Sequence, residues 1–345
     1  MRYSRVFLDS LGYELGPVVV STKELEERLR PAFAKLRVPV GQVEALTGIK
    51  ERRWWEPRTA LSQGAVSAAR KALAQSTVKP EDIGALIYAG VCREDFEPAT
   101  ACRVADAIGV GNNAAIYDLS NACLGVLNGI LDIANRIELG QIRAGLVVSC
   151  ESAQEIVEAM SAKLLEEGDM ERFKSSLATL TGGSGAVAAL VTDGSFGKVG
   201  HRLAGGITLA APEHHRLCQW GLEGEGSRLS PFMTTDAVGV LEHGVKLGRK
   251  TWRALMAELG WQPNLVDRVI CHQVGAAHQR NILAALGIPA SKDYSTYEFL
   301  GNMGTAALPV TAALAKERGI LKSGQKVAFL GIGSGLNCLM LGWEW

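Results

Sequence analysis

Short apolar runs rich in β-branched residues alternate with amphipathic stretches along almost the whole chain, the pattern of an α/β protein. The runs that predict strands are 85–91, 114–120, 144–150 and 186–192, followed by 268–274, 326–333 and 337–345. Between them, 61–76 and 234–260 carry apolar residues at the spacing of a helix with one buried face.

The pattern runs through the chain twice. The segment CLGVLNGILDIANRIELGQIRAGLVVSC (123–150) reads as helix, E-L-G turn and strand, and NMGTAALPVTAALAKERGILKSGQKVAFLGIG (302–333) repeats it with E-R-G at the turn. Gly140 and Gly319 hold the same place in those turns, an offset of 179 residues. Upstream, LIYAGV (86–91) and VICHQV (269–274) each lead into a helix that ends in AIGV or ALGI. Such a duplication places corresponding strand ends side by side at the centre of the molecule. The segment 152–180 has no counterpart in the second half. It predicts a helical insertion, readable equally as a lid over an apolar cavity or as a surface hairpin.

Composition narrows the classes. With 345 residues, 47% hydrophobic and 21% charged, the chain has the balance of a globular protein of one large or two ordinary domains. A formal net charge of zero gives no reason to expect nucleic acid or an anionic membrane surface as partner. No apolar run reaches the roughly 18 residues of a membrane span, and the N-terminus lacks a signal-peptide core. Seven cysteines without a C-x-x-C pair point to free thiols in a reducing cytoplasm and to no metal site. The adjacent His214 and His215 read as surface histidines.

One cysteine stands apart. Cys123, in YDLSNACLGVLNG (117–129), sits where a strand gives way to a helix. Unpaired N–H groups and the positive end of the helix dipole at such a place favour thiolate over thiol. His272, at the end of VICH, and Asn302, which opens the duplicate helix, fall at matching junctions. A histidine polarises a carbonyl or carries a proton, and an asparagine amide donates to a developing oxyanion. Together the three suit acyl transfer through a thioester. The turn GIGSGLNC (331–338) offers the N–H of Gly335, beside that of Cys123 itself, as an oxyanion hole. Taken singly, Cys123 also reads as a buried structural cysteine, and the glycine turn as a β-bulge.

These segments resemble the thiolase-fold condensing enzymes of the β-ketoacyl synthase III type, along nearly the whole chain. TGIKERRWW (47–55) resembles that group's T-G-I-x-x-R-R motif, DLSNACLG its nucleophile segment, CHQV its histidine motif and LGNMGTAALP its asparagine motif. The resemblance implies a five-layered αβαβα fold from two similar halves, here 1–195 and 196–345, a homodimer, and an acyl-cysteine intermediate. Within the group, REDFEPAT (93–100), SNACLG, the charged insertion ending LATLTGGSGA and the finish LGIGSGLNC resemble OleA-type enzymes of long-chain olefin biosynthesis. That resemblance implies a non-decarboxylative Claisen condensation of two fatty acyl-CoA molecules to a β-keto acid. It also implies that Glu97 crosses the dimer interface to deprotonate the second thioester. No cofactor beyond the coenzyme A thioester substrates is expected, and enzymes that process the β-keto acid are the expected downstream partners.

Departures from the synthase III pattern bear on coenzyme A binding. Leu46 and Ala277 stand where that group carries arginines, and Leu300 replaces the histidine of H-G-N. Arg52, Arg53 and Arg280 remain as candidate coenzyme A contacts, each also readable as a surface ion pair. Two alternative functions share the same triad or fold: a decarboxylating synthase III that joins acyl-CoA to a malonyl carrier-protein thioester, and a non-catalytic acyl-binding protein. Carbon dioxide release separates the first, and absence of a covalent acyl group on Cys123 the second.

Overall fold

The structure, a computed structural model, describes residues 1–197, 200–224 and 229–345. Its frame is two sheets. The first has the strand order β1 (Phe7–Leu15), β7 (Gly185–Thr192), β6 (Ala144–Glu151), β4 (Ile83–Ala89), β5 (Ala115–Leu119). The second runs β8 (His201–Ala210), β13 (Asn337–Glu344), β12 (Lys326–Gly333), β11 (Arg268–Cys271). A parallel bridge from Val269 to Asp293 stands where β4 meets β5 in the first sheet. The two sheets meet edge to edge at the pairs Phe7–Arg202 and Leu8–His201, making one continuous order of nine strands.

Alternation along the strands sorts their side chains into separate cores. Ile87 and Val147 of the first sheet share a core with Ile270, Phe329 and Trp343 of the second, and with helices α6 (Gly125–Glu138) and α12 (Ala307–Glu317). Residues on the opposite faces, Leu86 and Val148, pack under α4 (Leu61–Leu73) and α5 (Thr100–Ile108). Val269, Ala328 and Met340 pack under α9 (Ala237–Leu259) and α10 (Ala276–Leu286). The layers are therefore α, β, α, β, α, the expected thiolase-like arrangement. Helix α12 is buried at nine consecutive positions, 307–315, as a helix between two sheets must be. Pro309 sits in its first turn, where a missing N–H breaks no helical bond.

The structure adds strands that the hydrophobic pattern did not reveal. In β1, Asp9 and Ser10 interrupt the apolar run, yet both are buried. Asp9 accepts from the Ser76 hydroxyl (2.8 Å), and the Ser10 hydroxyl donates to Ala72 O at the end of α4 (2.8 Å). Gly12 allows that contact, since a Cβ there would fall 2.1 Å from Ala68 O. A hairpin of β9 (Cys218–Glu223) and β10 (Ser230–Thr235) was likewise not foreseen.

The unduplicated segment forms α7 (Gln154–Glu167) and α8 (Met170–Ser176), both against β10. Together with β2 (Val18–Ser21), α1 (Thr22–Arg28), α2 (Arg30–Leu36), α3 (Gln42–Thr47) and β3 (Glu51–Trp54) they build a cap. It has its own core, with Leu29, Phe33, Trp54, Val157, Leu164 and Phe173. A short helix, α11 (Tyr297–Leu300), packs on β3. Among the described residues no helix is long and apolar enough to cross a membrane.

The duplication is visible in one hydrogen bond. The Val126 N–H, in the first turn of α6, donates to the hydroxyl of Thr305, 179 residues later (2.8 Å). Thr305 is 1% exposed and lies just before α12. Replacing it by valine leaves a buried amide without a partner, at a cost of about 1–3 kcal/mol. Thr305→Val should lower Tm by several degrees in a thermal melt, whereas Thr305→Ser should hold it; equal Tm for all three would remove this bond from the fold's support.

Candidate active site

Cys123 lies in the turn between β5 and α6. Ala122, just before it, has φ +44, in the left-handed region that residues with a Cβ rarely adopt. The following amides are already engaged: Leu124 N–H donates to Asn121 O (2.9 Å), Gly125 N–H to Ala122 O (3.4 Å) and Val126 N–H to Thr305. The resting thiolate expected from the sequence is therefore not favoured. Burial, with smaller contributions from Cys218 and Glu151, pushes the Cys123 thiol up to about 12, and only its own backbone N–H opposes this. Desolvation outweighs the helix terminus, and the group rests as a neutral thiol.

His272 follows β11, its N–H bound to Leu330 O (3.0 Å). Burial, and next to it His278, push its pKa down to about 3, so the imidazole is neutral, and among the described residues its Nδ1 has no partner. Asn302 is held on both sides of its backbone: its N–H donates to Thr181 O (3.0 Å) and its carbonyl accepts from Gly183 N–H (2.9 Å). Its side-chain oxygen accepts from Gly304 N–H (3.1 Å), which fixes the amide orientation and leaves the NH₂ to donate.

The segment that grips Asn302 is itself gripped by β3. Arg52 donates to Leu180 O (3.1 Å), the Trp54 indole to Gly182 O (3.3 Å), and Ser184 N–H to Arg53 O (2.7 Å). Arg52 is thus no surface ion pair. It is fully buried, with Nε and Nη1 unpartnered among the described residues, and burial pushes its pKa down to about 10 against the pull of Glu26. Arg53 is half-buried and Arg280 exposed, and none of the three lines the cavity described next.

Cys123, His272 and Asn302 line one cavity of about 520 Å³. Its outer wall is Ile156 of α7 with Trp220, Phe232 and Met233 of the hairpin, so the insertion covers an apolar chamber. On the glycine turn, Gly333 and Ser334 face the chamber while Gly335 does not, and a Cβ on Gly333 would stand 3.4 Å from Cys123 N. The Asn337 amide clamps this turn to the nucleophile turn through Asn121 Oδ1 (3.2 Å) and Ser334 O (3.4 Å). Glu97 is exposed, next to a Phe96 that is 94% exposed, and does not reach the chamber of its own chain.

Two cavity residues escaped the sequence reading. His278, in the first turn of α10, is pushed down to about 4 by burial. Glu151 ends β6 and is 3% exposed. An acid closing a largely apolar strand, at the carboxyl edge where α/β sheets build their sites, was the available signal. Among the described residues no group of histidine, cysteine or acidic side chains is placed to hold a metal ion; His214 stacks on His243 at 3.8 Å instead.

Comparison with known proteins follows this geometry. A family model described as 3-oxoacyl-[acyl-carrier-protein (ACP)] synthase III C terminal matches residues 256–345. The acyl-CoA:acyl-CoA alkyltransferase of Shewanella oneidensis is 57% identical, and that of Xanthomonas campestris 34%, each over 100% of both chains. Cerulenin-bound OleA of Xanthomonas campestris superposes with a TM-score of 0.94 at 34% identity, covering 100% of this chain and 98% of that one. A cysteine-to-serine variant of that protein with bound lauric acid and lauroyl-CoA gives 0.92, covering 99% and 100%. Identity at this level across the full length, on the same fold, places the chain in the acyl-CoA:acyl-CoA alkyltransferase (OleA) family of thiolase-fold condensing enzymes.

Proposed function

We infer that this chain is an acyltransferase that joins two fatty acyl-CoA molecules head to head, without decarboxylation, to give a β-keto acid. The observation that carries the reading is the meeting of Cys123, His272 and Asn302 in one largely apolar chamber. The choice of a second acyl-CoA over a malonyl thioester is supported by the 57% identical relative, itself named an acyl-CoA:acyl-CoA alkyltransferase.

In the first step the Cys123 sulfur attacks the acyl-CoA carbonyl, and its proton leaves with coenzyme A as the free thiol. The acyl chain lies in the chamber, and the Cys123 N–H, with the glycine turn, faces the oxyanion. A second acyl-CoA then binds with its thioester carbonyl against the neutral His272 ring and the Asn302 NH₂, which stabilise its enolate. Glu97 of the partner subunit removes the α-proton, since an ordinary acyl group has no carboxylate to lose. The carbanion attacks the Cys123 thioester, Cys123 is expelled and recovers a proton, and water cleaves the remaining coenzyme A thioester. The sequence consumes only thioesters and water, so it calls for no cofactor. A homodimer working in the cytoplasm, and enzymes that take over the β-keto acid, complete the reading. The exposure of Phe96 and Glu97 supports the dimer, because such a loop needs a surface to cover it.

Glu97→Gln should acylate Cys123 at the wild-type rate, seen by intact mass, and lose condensation by at least about a hundredfold. Mixing Glu97→Gln with Cys123→Ala should restore about a quarter of wild-type activity after subunit exchange, because half the dimers then carry one complete site. Silence of the mixture would place the base in the same chain as the cysteine.

The pH dependence follows from the histidines. Both His272 and His278 have folded pKa values below the usual 6.5 of the unfolded chain, pushed down to about 3 and about 4. The unfolded state therefore binds more protons below pH 6.5, and stability falls as pH drops through the window from 6.5 towards 4. Condensation should show no histidine limb near pH 6.5, while Tm should decline between pH 6 and 4 more steeply than in His278→Asn. An activity limb at 6.5 lost on replacing His272 would refute the neutral imidazole.

A further inference from the structure

Glu151 has no part in the chemistry above, yet its carboxylate lies in the wall of the reaction chamber, 3% exposed. Among the described residues no lysine or arginine forms an ion pair with it. A carboxylate buried without a cation costs several kcal/mol unless backbone donors replace the lost water. Here they do. Oε1 accepts from Val91 N–H (3.0 Å), Oε2 from Cys92 N–H (3.2 Å), and the Thr305 backbone supplies a further bond. Gly304, at φ +54, leaves room for it, since a Cβ there would stand 3.2–3.3 Å from three Glu151 atoms.

Each donor belongs to a segment that carries a functional side chain. Val91 and Cys92 begin the loop that runs to Glu97. Gly304 and Thr305 are the end of the turn that presents Asn302, and Gly304 N–H fixes the Asn302 amide. The Thr305 hydroxyl accepts from Val126, three residues beyond Cys123. We propose that Glu151 is a positioning residue for carbon–carbon bond formation, its carboxyl oxygens tying the loop of Glu97 to the turn of Asn302 so that one buried side chain sets both. The proposal rests on the condensing function inferred above. Glu151 acts on the second half of the reaction, because the two segments it ties hold and deprotonate the second substrate, whereas acylation needs only Cys123 and its amides. A negative charge in this place also opposes the Cys123 thiolate, so its retention beside the nucleophile calls for such a use.

Two variants separate charge from reach. Glu151→Gln keeps the length and removes the charge; Glu151→Asp keeps the charge and withdraws it by one methylene. Both should acylate Cys123 within about threefold of wild type by intact mass and condense at least about tenfold more slowly. The pH profile of Cys123 alkylation by iodoacetamide should move to lower pH in Glu151→Gln and stay in place in Glu151→Asp, a readout that mere loosening of the fold would not sort in this way. Thermal melts confirm that both variants are folded. Condensation within twofold of wild type in both variants overturns the proposal, as does a parallel fall of acylation and condensation. It is also overturned if Glu97→Gln condenses normally while Glu151→Gln does not, since Glu151 would then be the base itself. Wild-type enzyme assayed alongside distinguishes the two failures: if the inferred function is wrong, wild type is silent too, and if only this proposal is wrong, wild type condenses and the variants show no split.

Discussion

The hydrogen bond from Val126 N–H to the Thr305 hydroxyl is the contact on which the arrangement of the site depends. It joins two residues 179 apart, the same offset as between Cys123 and Asn302. Two helices with their N-termini in contact bring equivalent strand ends of both halves to one place, as open α/β sheets present ligands at the carboxyl ends of their strands. Helix α12 is accordingly buried at nine consecutive positions, whereas α6 keeps a polar stripe of Asn128, Asp132, Asn135 and Arg136 beside its buried residues. The site is thus a by-product of how the duplicated halves pack, and α7 with the β9–β10 hairpin only has to close it.

Two positive helix ends facing one another would repel weakly and leave a positive potential at the centre of the molecule. The Glu151 carboxyl lies near these ends and takes one amide from the turn before α12, at Thr305, and two from the loop after β4, at Val91 and Cys92. The dryness of this place sets the charge state of everything else in the chamber. Burial drives the thiol of Cys123 up and the imidazoles of His272 and His278 down, so each group is neutral at rest. For a reaction through a carbanion this is an advantage. An enolate held by neutral donors in an apolar chamber meets little water to protonate it, and hydrogen bonds to it are strengthened by the low dielectric.

How much of this could be read from the chain differs by element. The continuous apolar strands β6 and β7, the helix–turn–strand repeat and the strand–cysteine–helix junction announced themselves, because burial on both faces leaves a sequence little freedom. β1 was hidden, since its buried Asp9 and Ser10 look like surface residues until the end of α4 is seen to receive them. The thiolate inference failed for a related reason. A helix N-terminus is visible in sequence, but the partners of its amides, one of them 179 residues away, are not. The R-R motif was open to two readings, coenzyme A contact or surface ion pair, and only the fold shows Arg52 turned inward to hold Leu180 and, through that segment, Asn302.

On the proposed reading, the location of the base follows from electrostatics. A carboxylate fixed inside the chamber and free to accept a proton would face Cys123 throughout the cycle and hinder its expulsion as thiolate after condensation. The acid that does lie inside, Glu151, is held above the usual carboxylate range by burial and has its oxygens engaged by amides, so it is pinned rather than free to approach a substrate. An exposed loop avoids the conflict. Glu97 is exposed in the single chain and, on that reading, meets the substrate only where a partner surface covers its loop. The separation of a pinned carboxylate from a delivered one lets a single apolar chamber host both an acylation that needs no base and a condensation that does.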